Sequence, residues 1–194
     1  MNSTSRSKPR TSSVPAGSSG LGAPLAQADA ASWSYLQEPG HFSIIRHATA
    51  PGTGDPDHFR IDDCATQRNL DDTGRKEAEE LGRAIRSAGI EKAAVYSSQW
   101  CRCLETAKLL GLGPVTELPA LNSFYQRQQD QDGNLKALRA FIRDLNTSKM
   151  PVILVTHQVT INALTNRYVR QGEALILKHT NDGNVAIVSS ISPG

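Results

Sequence analysis

An arginine and a histidine, Arg46-His47, stand where the short apolar run Phe42-Ser43-Ile44-Ile45 stops. A neutral imidazole can attack phosphorus when its second nitrogen is held by an acceptor such as a backbone carbonyl. An arginine beside it supplies a planar fork that matches phosphate oxygens in pairs. Two later stretches follow apolar runs in the same way: Ser97-Ser98-Gln99-Trp100-Cys101-Arg102 and Thr156-His157. The pattern predicts one pocket for a tetrahedral oxyanion. In it His47 is the nucleophile, Arg46 and Arg102 clamp the oxygens, and a protonated His157 is a further donor as charge develops. Ser98 joins the phosphate-binding set, at the positive end of the helix expected to start beside it. No metal ion and no cofactor is required.

Each residue taken singly has a plainer reading. A histidine at a strand end is most often a structural hydrogen bonder, and an arginine on a helix is most often solvated. Joint placement after three strands is what favours a site. His41, His58 and His179 lack that placement and read as structural or surface groups. Trp100 reads as core or pocket wall.

The elements that must carry these residues are legible. Phe42–Ile45, 93–96, 115–118 and 152–155 read as strands, the last most strongly. Asp71 is a suitable N-cap for a helix over 72–88, with Ala78, Leu81, Ile85 and Ala88 on one face and Gly89 as its stop. Ser97-Ser98 is expected to cap a second helix in which Trp100, Cys103, Leu104, Ala107 and Leu110 share a side. Leu135 to Leu145 marks a third helix, and a fourth runs through Ile161 and Leu164. Residues 174–177 and 185–188 read as a hairpin around Asn181-Asp182-Gly183. Strands alternating with helices predict an α/β three-layer sandwich: a mostly parallel central sheet flanked by helices, to which the last pair can add an antiparallel edge. In such sheets ligands bind beyond the carboxyl ends of the strands, which is where the candidate residues fall. The loops 48–67 and 122–133 are expected to border the pocket.

Bulk properties narrow the partners. The chain has 194 residues and a net charge of +2, which Arg6, Lys8 and Arg10 against Asp29 account for. The rest is neutral overall, so no nucleic-acid surface is expected. No run approaches the roughly 18 apolar residues of a membrane span. Residues 1–31 are rich in Ser, Gly, Pro and Ala and read as a disordered tail ahead of a domain over 32–194. Their basic start and Ala28-Asp29-Ala30 resemble an export signal, but the middle is too polar for its apolar core. A cytoplasmic placement is therefore favoured, and an exported or periplasmic one follows if the segment is a signal. The spacing of Cys64, Cys101 and Cys103 fits no zinc site. All three are expected as thiols in a reducing compartment, whereas after export Cys64 pairs with Cys101 or Cys103. Nothing in the pattern assigns an oligomeric state.

Four segments resemble, in order and spacing, the histidine phosphatase superfamily, the phosphoglycerate-mutase-like proteins. They are Ile45-Arg46-His47-Ala48, Arg68-Asn69-Leu70-x3-Gly74, Ser97-Ser98-x3-Arg102-x3-Thr106-Ala107 and Val155-Thr156-His157. The resemblance implies a phosphohistidine at His47 and a phosphate pocket of Arg46, Arg102 and His157. Two departures stand out. Ala48 replaces the family's glycine, and Pro119–Phe124 contains no carboxylate where many members place a glutamate as general acid. Expelling an alkoxide is harder without that acid, which points to a small phosphatase acting on a phosphohistidine or phosphomonoester, in a small molecule or a phosphoprotein. Asp55, Asp57, Asp62 or Asp63 could supply the proton, although a solvated loop is the plainer reading of that cluster. The alternatives are a phosphoglycerate-type mutase or bisphosphatase, and a non-catalytic phosphate binder.

Overall fold

The computed structural model describes Met1, residues 31–180 and residues 182–193. The expected disordered tail lies, apart from Met1 and Ala31, outside the described residues, as does Asn181 of the hairpin turn.

A mixed sheet of six strands has the order β3-β2-β4-β1-β5-β6. Its strands are β1 (His41–Arg46), β2 (Ala94–Ser97), β3 (Val115–Glu117), β4 (Val152–Thr156), β5 (Ala174–His179) and β6 (Val185–Ile191). The first four are mutually parallel, while β5 and β6 run antiparallel along one edge. The faces are covered by helices α1 (Asp72–Ser87), α2 (Cys101–Leu109), α3 (Gln131–Arg143) and α4 (Gln158–Thr165). Because successive strand side chains alternate, one strand feeds two cores. Ile45, Val95, Ile153 and Val155 pack with Leu81, Ile85 and Cys103 of α1 and α2. Phe42, Ile44, Leu154 and Leu175 pack with Leu138 and Ile142 of α3 and Ile161 of α4. Among the described residues no helix is long and apolar enough to cross a membrane.

Register sets the functional rim. Arg46 pairs with Thr156, and Ser97 with Val155, so β1, β4 and β2 end level. The ladder continues one residue further: the His47 N–H donates to the Thr156 carbonyl at 3.0 Å, and the Ser98 N–H to the Val155 carbonyl at 2.9 Å. His47, Ser98 and His157 therefore leave the sheet side by side.

Helix α1 begins as the sequence predicts. The Asp71 carboxylate accepts from the Gly74 N–H at 2.8 Å, satisfying one of the orphan donors of the first turn. Gly74 also lets this turn press on the chain just after His47. A Cβ at Gly74 would lie 2.0 Å from the Thr49 carbonyl oxygen. Gly74→Ala is therefore expected to destabilise the protein by about 2 kcal/mol through overpacking against backbone, read as a lower midpoint in chemical denaturation. An unchanged midpoint would mean that α1 and Thr49 are not in contact.

Two predicted boundaries are corrected. Helix α2 starts at Cys101 with Trp100 as its N-cap, not at Ser98. Ser98 directly follows β2 with its N–H still bonded to β4, and its hydroxyl is engaged elsewhere. Helix α3 starts at Gln131, after a 3-10 turn over Gln128–Asp130, so the polar loop is shorter than 122–133.

Candidate active site

Arg46, His47, Arg102 and His157 all line one cavity of about 350 Å³ at the carboxyl ends of β1, β2 and β4. The rings of His47 and His157 lie 5.6 Å apart, centroid to centroid. Ser98 is not among the lining residues. It is fully buried and sits behind His157, its Oγ 2.8 Å from Nε2. This corrects its expected place on the phosphate: it holds the imidazole instead.

The two imidazoles are held differently. His47 Nδ1 is 2.8 Å from the carbonyl oxygen of Ala48. A carbonyl only accepts, so Nδ1 carries the hydrogen and the Nε2 lone pair is left free. Burial first, then Arg102, pushes the His47 pKa well below its ordinary value; the Ala48 carbonyl opposes this, and Arg68 and Arg46 add to it. His47 is thus a neutral imidazole with one committed nitrogen. His157 faces Arg102 Nη2 through Nδ1 at 3.4 Å. A guanidinium only donates, so Nδ1 accepts and the Nε2–H donates to Ser98, which donates to Asn122 Oδ1 at 3.2 Å. Burial, then Arg102 and His47, pushes the His157 pKa well down. The expectation of a protonated His157 is corrected: burial of the ring and three nearby guanidiniums disfavour a further positive charge.

The arginines divide their work. Arg46 donates from Nη1 to the Val169 carbonyl at 2.9 Å, and its buried Nε has no partner among the described residues. Arg68 lines the cavity and shapes the loop around it, donating to the carbonyls of Gly54 and Ala50. Arg102 is almost fully buried and makes a two-pronged ion pair with Asp55, Nη1 to Oδ1 at 2.8 Å and Nη2 to Oδ2 at 3.2 Å. Asp55 also accepts from Trp100 Nε1 at 3.0 Å and from the Arg68 N–H at 3.0 Å. Burial raises its pKa, but the hydrogen bonds and charge of Arg102, with those two N–H groups, outweigh burial and hold the carboxyl below its usual range.

Behind the rim, the chain after His47 is fixed residue by residue. The Ala48 N–H donates to Thr106 Oγ1 at 3.1 Å, and Thr49 donates from both its N–H and its hydroxyl to Glu77, each at 2.9 Å. Arg68, Asp55 and Glu77 were not singled out as site residues by their position relative to strands, since none follows one. For Arg68 and Gly74 the available signal was the Arg-x-Leu-x3-Gly spacing.

Cysteines staple the loop to the site. Cys64 and Cys101 form a disulfide, and Cys103 is a free, buried thiol. The bond closes the segment that carries Asp55 and Arg68 onto the first residue of α2, beside Arg102. Cys103 packs against His157, Sγ to Nε2 at 3.4 Å, and burial pushes its pKa up to about 12, so it stays a thiol. A cross-link over a sequence separation of 37 residues contributes about 3–4 kcal/mol by restricting the unfolded chain. Reduction is expected to lower the melting temperature by roughly 10 °C, and unreduced, denatured protein should titrate one thiol. Three reactive thiols would show that the bond is absent.

Among the described residues no cluster of three or more His, Cys, Asp or Glu side chains could hold a metal ion.

A family model described as the histidine phosphatase superfamily (branch 1) matches residues 43–190. No curated protein matches the chain. Among solved structures, the protein histidine phosphatase SixA complexed with tungstate is similar at 17% identity and a TM-score of 0.59, over 79% of this chain and 97% of that one. A mycobacterial glucosyl-3-phosphoglycerate phosphatase is similar at 14% identity and a TM-score of 0.57, over 80% and 100%. A phosphoserine phosphatase from Entamoeba histolytica, in complex with phosphoserine, is similar at 14% identity and a TM-score of 0.55, over 79% and 97%. At these identities the likeness is one of fold.

Proposed function

The chain belongs to the histidine phosphatase superfamily, and from that premise we propose that it is a metal-independent phosphatase working through a phosphohistidine at His47. The observation that carries this reading is His47 itself: a neutral imidazole with Nδ1 tied to the Ala48 carbonyl, in a cavity lined by Arg46, Arg68 and Arg102. Nε2 attacks phosphorus, the P–N bond forms, and the bond to the leaving group breaks. Water then attacks the phosphohistidine, releasing inorganic phosphate and regenerating the imidazole. Arg46 and Arg102 take the charge of the non-bridging oxygens. Once a dianion occupies the cavity, its charge outweighs the burial and the guanidiniums that keep His157 neutral. His157 then gains a proton at Nδ1 and donates to the phosphoryl group.

Leaving-group assistance narrows the substrate. Pro119–Phe124 supplies Asn122 as a hydrogen-bond anchor for Ser98 and Gln99 rather than a carboxylate. Asp55 reaches the cavity, but its pairing keeps it ionised and without a proton to give. Phosphoramidates such as phosphohistidine, and aryl phosphates, leave without strong acid help and fit this site better than alkyl phosphates do.

Hydrolysis of para-nitrophenyl phosphate in EDTA tests the reading, with phosphohistidine and phosphoglycerates in the same panel. Activity untouched by EDTA is expected, with phosphohistidine exceeding phosphoglycerate. Interconversion of phosphoglycerates would make the protein a mutase. Tight vanadate binding with no turnover on any substrate would make it a binder.

The pH profile checks the state of His47. Only its neutral form attacks, and its pKa lies below the ordinary imidazole value. Corrected for ionisation of the substrate, kcat/KM should not fall as pH drops from about 8 through about 6.5, since the proton that His157 takes up with substrate can only raise it there, and should decline only in more acid solution. An acid limb centred near 6.5 would contradict the neutral, arginine-flanked imidazole.

A further inference from the structure

The function proposed above leaves one buried charge in the cavity without a task. Asp55 lines the same cavity as the arginines, its side chain is 3% exposed, and every polar partner it has there is a donor: Arg102 twice, Trp100 and the Arg68 N–H. A carboxylate and a phosphoryl group present the same face to a guanidinium, two oxygens on one fork. Asp55 fills the fork of Arg102 that the phosphate reading assigns to substrate.

The charges fit this view. Arg46, Arg68, Arg102 and Arg127 with Asp55 leave the cavity wall a net of three positive charges, the two imidazoles being neutral, and a phosphate dianion offsets most of it. Without the carboxylate the same walls would carry four, and inorganic phosphate, the product, would be held more tightly. The staple between Cys64 and Cys101 returns the loop that carries Asp55 to the residue next to Arg102.

Resting on the phosphatase reading, we propose that Asp55 is a resident anion that competes with phosphate for Arg102. It occupies the fork when the site is empty, yields at least one of the two Nη contacts when a tetrahedral oxyanion enters, and retakes it as phosphate leaves. It sets the affinity for phosphate and so limits product inhibition. A purely orienting role predicts the opposite sign, because an Arg102 released from its partner would bind phosphate less well. Magnitudes separate the two. Freeing one long side chain weakens binding by about two- to tenfold. Removing a carboxylate within hydrogen-bond reach of the guanidinium strengthens it by about a hundredfold or more at an intermediate dielectric. The charge effect prevails.

The test is calorimetric titration of the whole chain with inorganic phosphate, comparing the parent with Asp55→Asn and Asp55→Glu, each checked by thermal unfolding. Asp55→Asn should bind phosphate about tenfold more tightly, with Asp55→Glu close to the parent. Equal or weaker binding by Asp55→Asn overturns the proposal while leaving the phosphatase reading intact. If the parent itself binds neither phosphate nor vanadate, both fall. Should the variants not fold, the crystal structure of the parent with orthovanadate decides. At least one Asp55–Arg102 contact is expected to open beyond hydrogen-bond distance, and both persisting at 2.8 and 3.2 Å would refute the competition.

Discussion

His47→Ala is expected to lower kcat by roughly 10⁴-fold or more, with the fold retained. His47 holds a lone pair at a fixed position beside the arginines, since Nδ1 is committed to Ala48 and Nε2 makes no hydrogen bond among the described residues. No neighbour can replace it. His157 is turned into Ser98 and Arg102, and the Cys103 thiol is buried and protonated. The ring is 2% exposed, so truncation leaves a small void rather than an unpaired charge. Substrate affinity should change far less than turnover, because the arginines that bind phosphate remain. A variant with more than a few per cent of parent activity would remove His47 from the chemistry. Steady-state kinetics with circular dichroism separates this from misfolding.

Arg102→Ala has the second large effect, and it falls on stability as well as turnover. The substitution deletes two donors aimed at the cavity, a loss on the order of 10³-fold in kcat/KM. It also strands Asp55, whose carboxylate keeps only Trp100 and the Arg68 N–H as partners. Breaking one side of a buried ion pair costs about 3 kcal/mol at the low end of the usual range, which suits a pair beside a cavity open to water. The sign with pH follows from Asp55. Its pKa in the folded parent is depressed, so the pair stabilises above the unfolded carboxyl value and is lost as pH falls through the folded one. The stability gap between parent and Arg102→Ala should therefore narrow in acid. Arg102→Lys keeps a charge near Asp55 but not the fork, so it should recover part of the stability and little of the activity. Denaturation at two pH values, with kinetics on all three proteins, distinguishes these outcomes. Equal melting of parent and Arg102→Ala would mean that the pair with Asp55 does not hold the loop.

Reading the sequence reached the parts of this protein that depend on local pattern. Asp71 announces α1 because an N-cap is a property of a few adjacent residues, and it caps through Gly74 as expected. Arg46, His47, Arg102 and His157 were legible because the end of a buried strand is visible in the chain and parallel strands end on one rim. What escaped depends on partners far away. Asp55 meets Arg102 across 47 residues, in a loop whose path is set by a disulfide and by Arg68 gripping its carbonyls. The charge on His157 escaped for a related reason. It follows from the sum of burial and three guanidiniums, which no single stretch displays. The start of α2 was misplaced because Ser98 has a capping residue's chemistry but spends its hydroxyl on His157.

The central claim is a covalent one, and a rapid acid-free quench of the enzyme turning over ³²P-labelled substrate tests it most directly. The account predicts an alkali-stable, acid-labile phosphoramidate on the peptide that begins at His47, located by fragmentation to His47 and not to His58, and absent from His47→Ala. Label on any other residue, or full turnover with no phosphoenzyme formed, would contradict it.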